Sequence, residues 1–242
     1  MADNTRFPSP LCAERRITRI SSNGRSEVTD VLLVEARYDL YCNGAKVAPL
    51  HCSPRNLEDL AVGNLFARGL LPCMEALESL TIDIKERKIE TAVSSCTQGR
   101  LSLQNDADDV RLLVRQVHGL QKLFDEHGKF HRKTGSSHSC ALATTDSLLL
   151  FLEDIARHNA LDKLVGAMLR GNVSPYGKII LFSSRLAREM TAKAIDSGVK
   201  LLIAPGAPSL ASVELADKHD ITLLGFVRND NINIYTHPYR VI

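Results

Sequence analysis

Apolar and polar positions along the chain change rhythm several times. Between residues 16 and 52 the rhythm is that of strands. Residues 28–34 are rich in β-branched and apolar side chains. Residues 38–42 and 46–51 flank Asn43-Gly44, a pair that accepts positive φ and predicts a hairpin. The period then lengthens. Leu57, Leu60, Ala61, Leu65 and Leu70 recur at helical spacing, with Ser53 or Asn56 as a start signal and Gly69 weakening the end. Alternation returns at Leu80, Ile82, Ile84, Ile89 and Val93, with Glu86-Arg87-Lys88 as a turn, which predicts a second hairpin.

Residues 94–109 are polar and carry the weakest pattern of the interior; long loops inside compact domains are often functional. A helix is expected over 110–126, with Val110, Leu113, Val114, Val117, Leu120 and Phe124 on one face. Beyond it the pattern predicts a helix at 157–170, a strand at 179–182, a helix at 186–197 stopped by Gly198 and a strand at 201–204. A helix at 209–219 and strands at 221–227 and 232–235 follow. Strands and helices in that alternation argue for an α/β layered sheet with parallel pairing. The expected organisation is a loose leader at 1–15, a smaller β-rich part at 16–109 and an α/β part at 110–242.

Composition changes the picture mainly by exclusion. Of 242 residues, 44% are hydrophobic and 24% charged, which fits a globular protein and not a disordered chain, a collagen or a coiled-coil rod. The net charge of +2, the absence of Trp and an aromatic content of 5% argue against nucleic acid as a partner. The longest apolar runs, such as 148–152, fall far short of the ~20 residues of a membrane span. The N-terminus has no apolar signal region. The six cysteines form no C-x-x-C pair, so neither a zinc site nor a disulfide framework is expected. A cytoplasmic protein with reduced thiols is the plain reading.

Candidate chemistry falls in a few places. Cys96 lies in the polar 94–109 stretch with Arg100 behind it, and a thiolate needs exposure and nearby positive charge. Read from its surroundings alone, Cys96 is better explained as an ordinary exposed thiol, since no base stands beside it in sequence. Thr134-Gly135 followed by small hydroxyl residues suits a tight turn whose N–H groups hold an anion, with His138 as acid, base or donor. The run 153–163 is dense in polar side chains that could reach a ligand. It places His158 beside Asp162 on a helix, and a solvated helix start explains it equally well. In the second half Ser184-Arg185, Pro205-Gly206 and Gly225–Asn231 all follow expected strands, where α/β sheets commonly bind phosphates. No G-x-G-x-x-G, P-loop, H-E-x-x-H or zinc-deaminase signature occurs.

Taken in order, several segments resemble one family. They are Cys52-Ser53-Pro54 with Leu57-Glu58-Asp59-Leu60-Ala61-Val62-Gly63; Thr134-Gly135 with His138; and Glu153-Asp154-Ile155 with Arg157-His158-Asn159-Ala160-Leu161-Asp162-Lys163. Ser184-Arg185, Glu189-Met190 with Lys193, Ala207-Pro208, Gly225-Phe226-Val227-Arg228 and Asn233-Ile234-Tyr235-Thr236 complete the series. Together they resemble the FdhD family of formate dehydrogenase accessory sulfurtransferases. The resemblance implies a cytidine deaminase-like α/β fold, a homodimer and a cytoplasmic location. It implies a carrier that takes persulfide sulfur from a cysteine desulfurase. The carrier passes it to the molybdenum bis(molybdopterin guanine dinucleotide) cofactor before insertion into formate dehydrogenase, with no metal of its own. The family's C-G-x-C loop maps onto Cys96-Thr97-Gln98-Gly99, so Cys96 takes the persulfide position and Gly99 replaces the second thiol. The family's cofactor stretch maps onto Phe226, Val227, Arg228, Asn229, Asp230 and Asn231, with Thr134, Gly135, His138, Ser184 and Arg185 as further candidates. The alternative is a non-catalytic chaperone that binds and delivers that cofactor. A weaker third reading is a nucleotide-binding domain of unrelated use.

Overall fold

In the computed structural model, which describes residues 11–95, 110–228 and 231–242, the alternating segments pair into three sheets. β1 (Cys12–Ser21) and β2 (Gly24–Leu33) form an antiparallel ribbon, mostly exposed, with Ser21 opposite Gly24 at its tip. β1 therefore takes up four residues, 12–15, of the expected leader. β3 (Ala36–Cys42), β4 (Ala45–Cys52), β5 (Leu77–Asp83) and β6 (Lys88–Val93) form a four-stranded sheet in the order β4-β3-β6-β5. Both expected hairpins are there, and Asn43 and Arg87 take the positive φ their turns require.

The six-stranded sheet has the order β12-β11-β10-β9-β7-β8. It comprises β7 (His138–Ala143), β8 (Leu148–Asp154), β9 (Ile179–Phe182), β10 (Leu201–Ile203), β11 (Thr222–Arg228) and β12 (Asn231–Thr236). β9, β10 and β11 run parallel, and the outer strands are antiparallel to their neighbours. Successive side chains alternate faces, so this sheet is apolar on both. Cys140, Ile180, Phe182, Leu202 and Leu223 pack against α4 (Arg157–Arg170), α5 (Arg188–Asp196) and α6 (Leu210–Lys218). Ala141, Ile179, Leu181, Ile203 and Leu224 pack against α2 (Val114–His127). Residues 110–113, expected to open that helix, are extended instead. Leu112 exchanges backbone hydrogen bonds with the chain end, to the Arg240 carbonyl and from the Ile242 amide. α3 (Lys129–Thr134) follows α2 directly.

One helix joins the two larger sheets. α1 (Leu57–Ala67) is buried over most of its circumference because it is covered on both sides, by the four-stranded sheet and by α4. Gly63 and Gly166 make that contact. A Cβ on Gly63 would stand 1.8 Å from the Asp162 carbonyl oxygen, and one on Gly166 1.9 Å from that of Asp59. Backbone meets backbone there, and no side chain fits between. Among the described residues no helix is long and apolar enough to cross a membrane.

Candidate functional site

The 153–163 run divides into an inward and an outward set. Asp154, Asn159, Asp162 and Lys163 are buried, against the expectation that this run reaches a ligand. Lys163 Nζ lies 2.6 Å from Asp154 Oδ2, both side chains fully buried, and donates to Ser53 Oγ at 2.9 Å and to the Ser53 and Glu153 carbonyls. Asp154 Oδ2 also accepts from the Ser53 amide, and Oδ1 from the Ala156 amide and Asn159 Nδ2. Asp162 accepts from Lys193 at 2.5 Å and from Asn64 Nδ2 at 2.9 Å. Each buried charge here has a partner, the condition under which burial is tolerated. The adjacent Cys52 thiol is pushed up to about 12 by its burial and by Asp154, so it stays a thiol at neutral pH. Burial likewise drives the Cys140 thiol up.

His158 is not oriented by Asp162, whose oxygens are taken. Its nearest carboxylate is Glu189, at 3.9 Å. Burial, then Lys193 and Arg157, hold the His158 pKa below the ordinary histidine value.

The outward set lies along the edge where β9, β10 and β11 end. Antiparallel pairing brings His138, opposite Asp154, and Ser183, which accepts from the Ser139 amide, to the same edge. His138 is half-buried. Its pKa is lowered by burial first and then by the nearby positive charge of Arg157 and His131. A cavity of about 330 Å³ at this edge is lined by Arg157, Arg185, Ala187, Ala207 and Ser209. The β10 end approaches Arg185 closely: a Cβ on Gly206 would meet Arg185 Cγ at 2.9 Å. The β11 end joins through Phe226, whose amide donates to the Gly206 carbonyl, and Val227, whose amide donates to the Ala204 carbonyl. Phe226 has φ 53° within a register shift, a costly conformation for a bulky residue and one that clusters at functional sites. Arg228 lies 5.6 Å from the Phe226 ring centroid.

The guanidiniums of Arg157 and Arg185 make no hydrogen bond or ion pair among the described residues, and that of Arg228 makes only its ring contact. Among the described residues the edge thus carries three guanidiniums without a counter-charge, an arrangement that suits phosphate oxygens.

The remaining candidates are placed as follows. Ser184 and Arg185 are at this edge. Thr134 and Gly135 end α3, but the Gly135 amide is taken by the His131 carbonyl and the Ser136 amide by Thr134 Oγ1, so this turn has no amide to offer there. Asn231 opens β12. Cys96, Asn229 and Asp230 lie outside the described residues. Ser94 and Ser95, directly before Cys96 in sequence, line a cavity of about 660 Å³ with Cys42, Lys46 and Arg68. A further cavity of about 370 Å³ lies at the other end of α1, lined by Arg55, Phe130, Phe151 and Glu153 among others. Among the described residues no group of three or more His, Cys, Asp or Glu side chains is placed to hold a metal ion.

The family model for FdhD/NarQ matches residues 33–242. The chain belongs to the FdhD/NarQ family. Full-length relatives agree. The sulfur carrier protein FdhD of Bacillus subtilis is 32% identical, aligning over 96% of this chain and 98% of its own length. That of Shouchella clausii is 31% identical over 94% of this chain and 96% of its own. The same fold is seen in a Desulfotalea psychrophila protein described as a formate dehydrogenase accessory protein, with TM-score 0.86, 23% identity, and coverage of 96% of this chain and 100% of that one. Sequence reasoning singled out the 153–163 run as a whole and did not distinguish Arg157 within it as the residue that lines the strand-end cavity. Only the fold separates the outward members of that run from its inward ones.

Proposed function

We propose that this FdhD/NarQ protein is a sulfur carrier. It accepts persulfide sulfur from a cysteine desulfurase on Cys96 and delivers it to the molybdenum bis(molybdopterin guanine dinucleotide) cofactor that formate dehydrogenase then receives. The cofactor is the acceptor substrate, and the protein acts as a cytoplasmic homodimer. The observation that carries the reading is the pair Arg157 and Arg185 lining one cavity without counter-charges among the described residues, at the strand-end edge that also carries His138, the strained Phe226 and Arg228. The full-length relation to curated sulfur carriers supports it.

In this reading the guanidiniums hold the cofactor's phosphates. His138, kept neutral by burial and by Arg157, remains able to accept a proton near them. Cys96 holds the sulfur as a persulfide, and loss of the outer sulfur returns a thiolate. Gly99 supplies no second thiol, and the Cys52 and Cys140 thiols are buried and protonated, so neither competes for sulfur. The cavities that contain Ser95 and Glu153 stand at opposite ends of α1, whose eleven residues span roughly 16 Å.

The test is a Cys96→Ala chain assayed for guanine-nucleotide binding and for activation of formate dehydrogenase. The expected result is retained binding with lost activation. Full activation by this variant would contradict sulfur carriage and favour a chaperone that only delivers the cofactor.

A further inference from the structure

Lys200 stands where β10 begins, and only 8% of it is exposed. Its Nζ donates to one acceptor, the His219 carbonyl, at 3.3 Å. An ammonium carries three donors, so the bond leaves two of them open. No carboxylate forms an ion pair with Lys200 among the described residues. Buried charges are normally paired, as Asp154, Asp162 and Lys163 are in this protein. Lys200 is buried as they are and has no counter-charge.

A cavity of about 280 Å³ opens at Lys200, between the ends of α5 and α6. Lys218 and His219 line it as well, and neither side chain has a hydrogen bond or an ion pair among the described residues. One carboxylate, Asp220, is in the wall, and both its oxygens are taken. Oδ1 accepts from the Tyr239 hydroxyl at 2.5 Å and Oδ2 from Arg240 at 2.6 Å, with His237 Nδ1 3.3 Å from Oδ1. The buried Arg240 balances its charge. Helix C-termini carry partial negative charge, which opposes an anion. Here last-turn carbonyls are occupied: that of Ile195 by the Gly198 amide, that of Ala216 by the His219 and Ile221 amides, and that of Asp217 by the Asp220 amide. What remains free in the cavity is positive charge and N–H donors.

We propose that this cavity binds a small phosphate-type oxyanion, held by Lys200 and Lys218, with the His219 ring as a further donor. A neutral ligand would leave the Lys200 charge uncompensated, and a cation would be repelled. A drug-sized ligand needs roughly 300–1,000 Å³, so the cavity suits a small anion. A tetrahedral oxyanion has acceptors enough for two ammoniums and an imidazole N–H at once. The site is separate from the strand-end edge. It opens at the amino end of β10, whose three residues span about 10 Å, while Gly206 and Arg185 stand beyond the other end. The inference therefore does not depend on the cofactor reading. The oxyanion could be free phosphate or the phosphate of a small ester, which share this chemistry.

The experiment is calorimetric titration with inorganic phosphate, at ionic strength matched with chloride. It uses the full chain carrying Arg157→Ala and Arg185→Ala, which disables the strand-end edge, and the same chain with Lys200→Met added. The first is expected to bind phosphate with Kd on the order of 1 mM, the value of a few charge-assisted hydrogen bonds. Lys200→Met is expected to weaken this about 10-fold or more. Glycerol 3-phosphate in a second series distinguishes the sources. Equal or tighter binding of the ester assigns the site to small phosphate esters, and weaker binding assigns it to free phosphate. Phosphate binding that Lys200→Met leaves unchanged would overturn the site, and so would no binding once the edge is disabled. Acylation of the exposed Lys218 in the unmodified chain, followed by mass spectrometry, needs no variant. Phosphate is expected to slow it several-fold relative to chloride, and an unchanged rate would overturn the site even if Lys200→Met fails to fold.

Discussion

The α1–α4 contact and the carboxyl edge of the six-stranded sheet draw on the same short stretch of sequence and treat charge in opposite ways. At the helix contact Asp154, Asp162 and Lys163 are buried and each meets an opposite charge, with Ser53, Asn64 and Asn159 filling the remaining hydrogen bonds. At the edge Arg157 and Arg185 face a cavity with no counter-charge among the described residues. A polar residue whose partners are complete serves the fold. One held in place with its partners missing is available to a ligand. The difference separates structural from functional charges where residue type alone does not.

The sharpest way to break this comparison is Lys163→Met. It leaves Asp154 buried and unpaired, and the expected loss is about 3–5 kcal/mol of unfolding free energy in a urea melt. Replacing Asp154 by Leu in the same chain should recover part of it, because the uncompensated charge is then gone. A loss below 1 kcal/mol would show that the buried pair is not what fixes α4 to the end of β8.

A smaller effect is expected from Gly166→Ala. The added carbon meets the Asp59 carbonyl at 1.9 Å with backbone on both sides. Overpacking of this kind costs about 1–3 kcal/mol, and a thermal melt checks it. Arg185→Ala should behave oppositely to both. Stability is expected to stay within about 0.5 kcal/mol of the parent. GDP affinity is expected to fall about 10-fold or more with the loss of a charge-assisted contact. Destabilisation without an affinity change would move Arg185 into the structural set.

The smallest expected effect is on pH. His138 and His158 both have pKa values held below the ordinary ~6.5. Between that value and the lower folded ones the unfolded chain binds more protons than the folded one. Stability therefore falls as pH drops through this window and levels off below it. Urea melts between pH 7.5 and 5 should show the decline, and His158→Gln should flatten it.

Much of this fold is legible in the sequence, because the period of apolar residues reports local structure directly. The helix expected at 157–170 and the strand at 179–182 are found with those bounds. The expectation failed where a distant contact overrides the local pattern. Residues 110–113 read as helix, yet pairing with the chain end holds them extended. β1 begins within a stretch that carries little periodicity, since its ribbon is exposed on both faces. The site was harder to read. Strand ends could be located, and Ser184, Arg185 and Phe226 do reach one edge. The burial of Asp154, Asp162 and Lys163 depends on α1 lying against α4, which no local pattern encodes. The Gly135 turn shows the same limit: its amide is occupied by the helix it terminates.

The most direct test of sulfur carriage is to incubate the protein with a cysteine desulfurase and free cysteine, then locate added sulfur by mass spectrometry of its peptides. The expected result is one added sulfur on Cys96, lost on addition of the cofactor, with Cys52 and Cys140 unmodified. A chain that gains no sulfur at Cys96, yet binds guanine nucleotides and still activates formate dehydrogenase, would contradict the account.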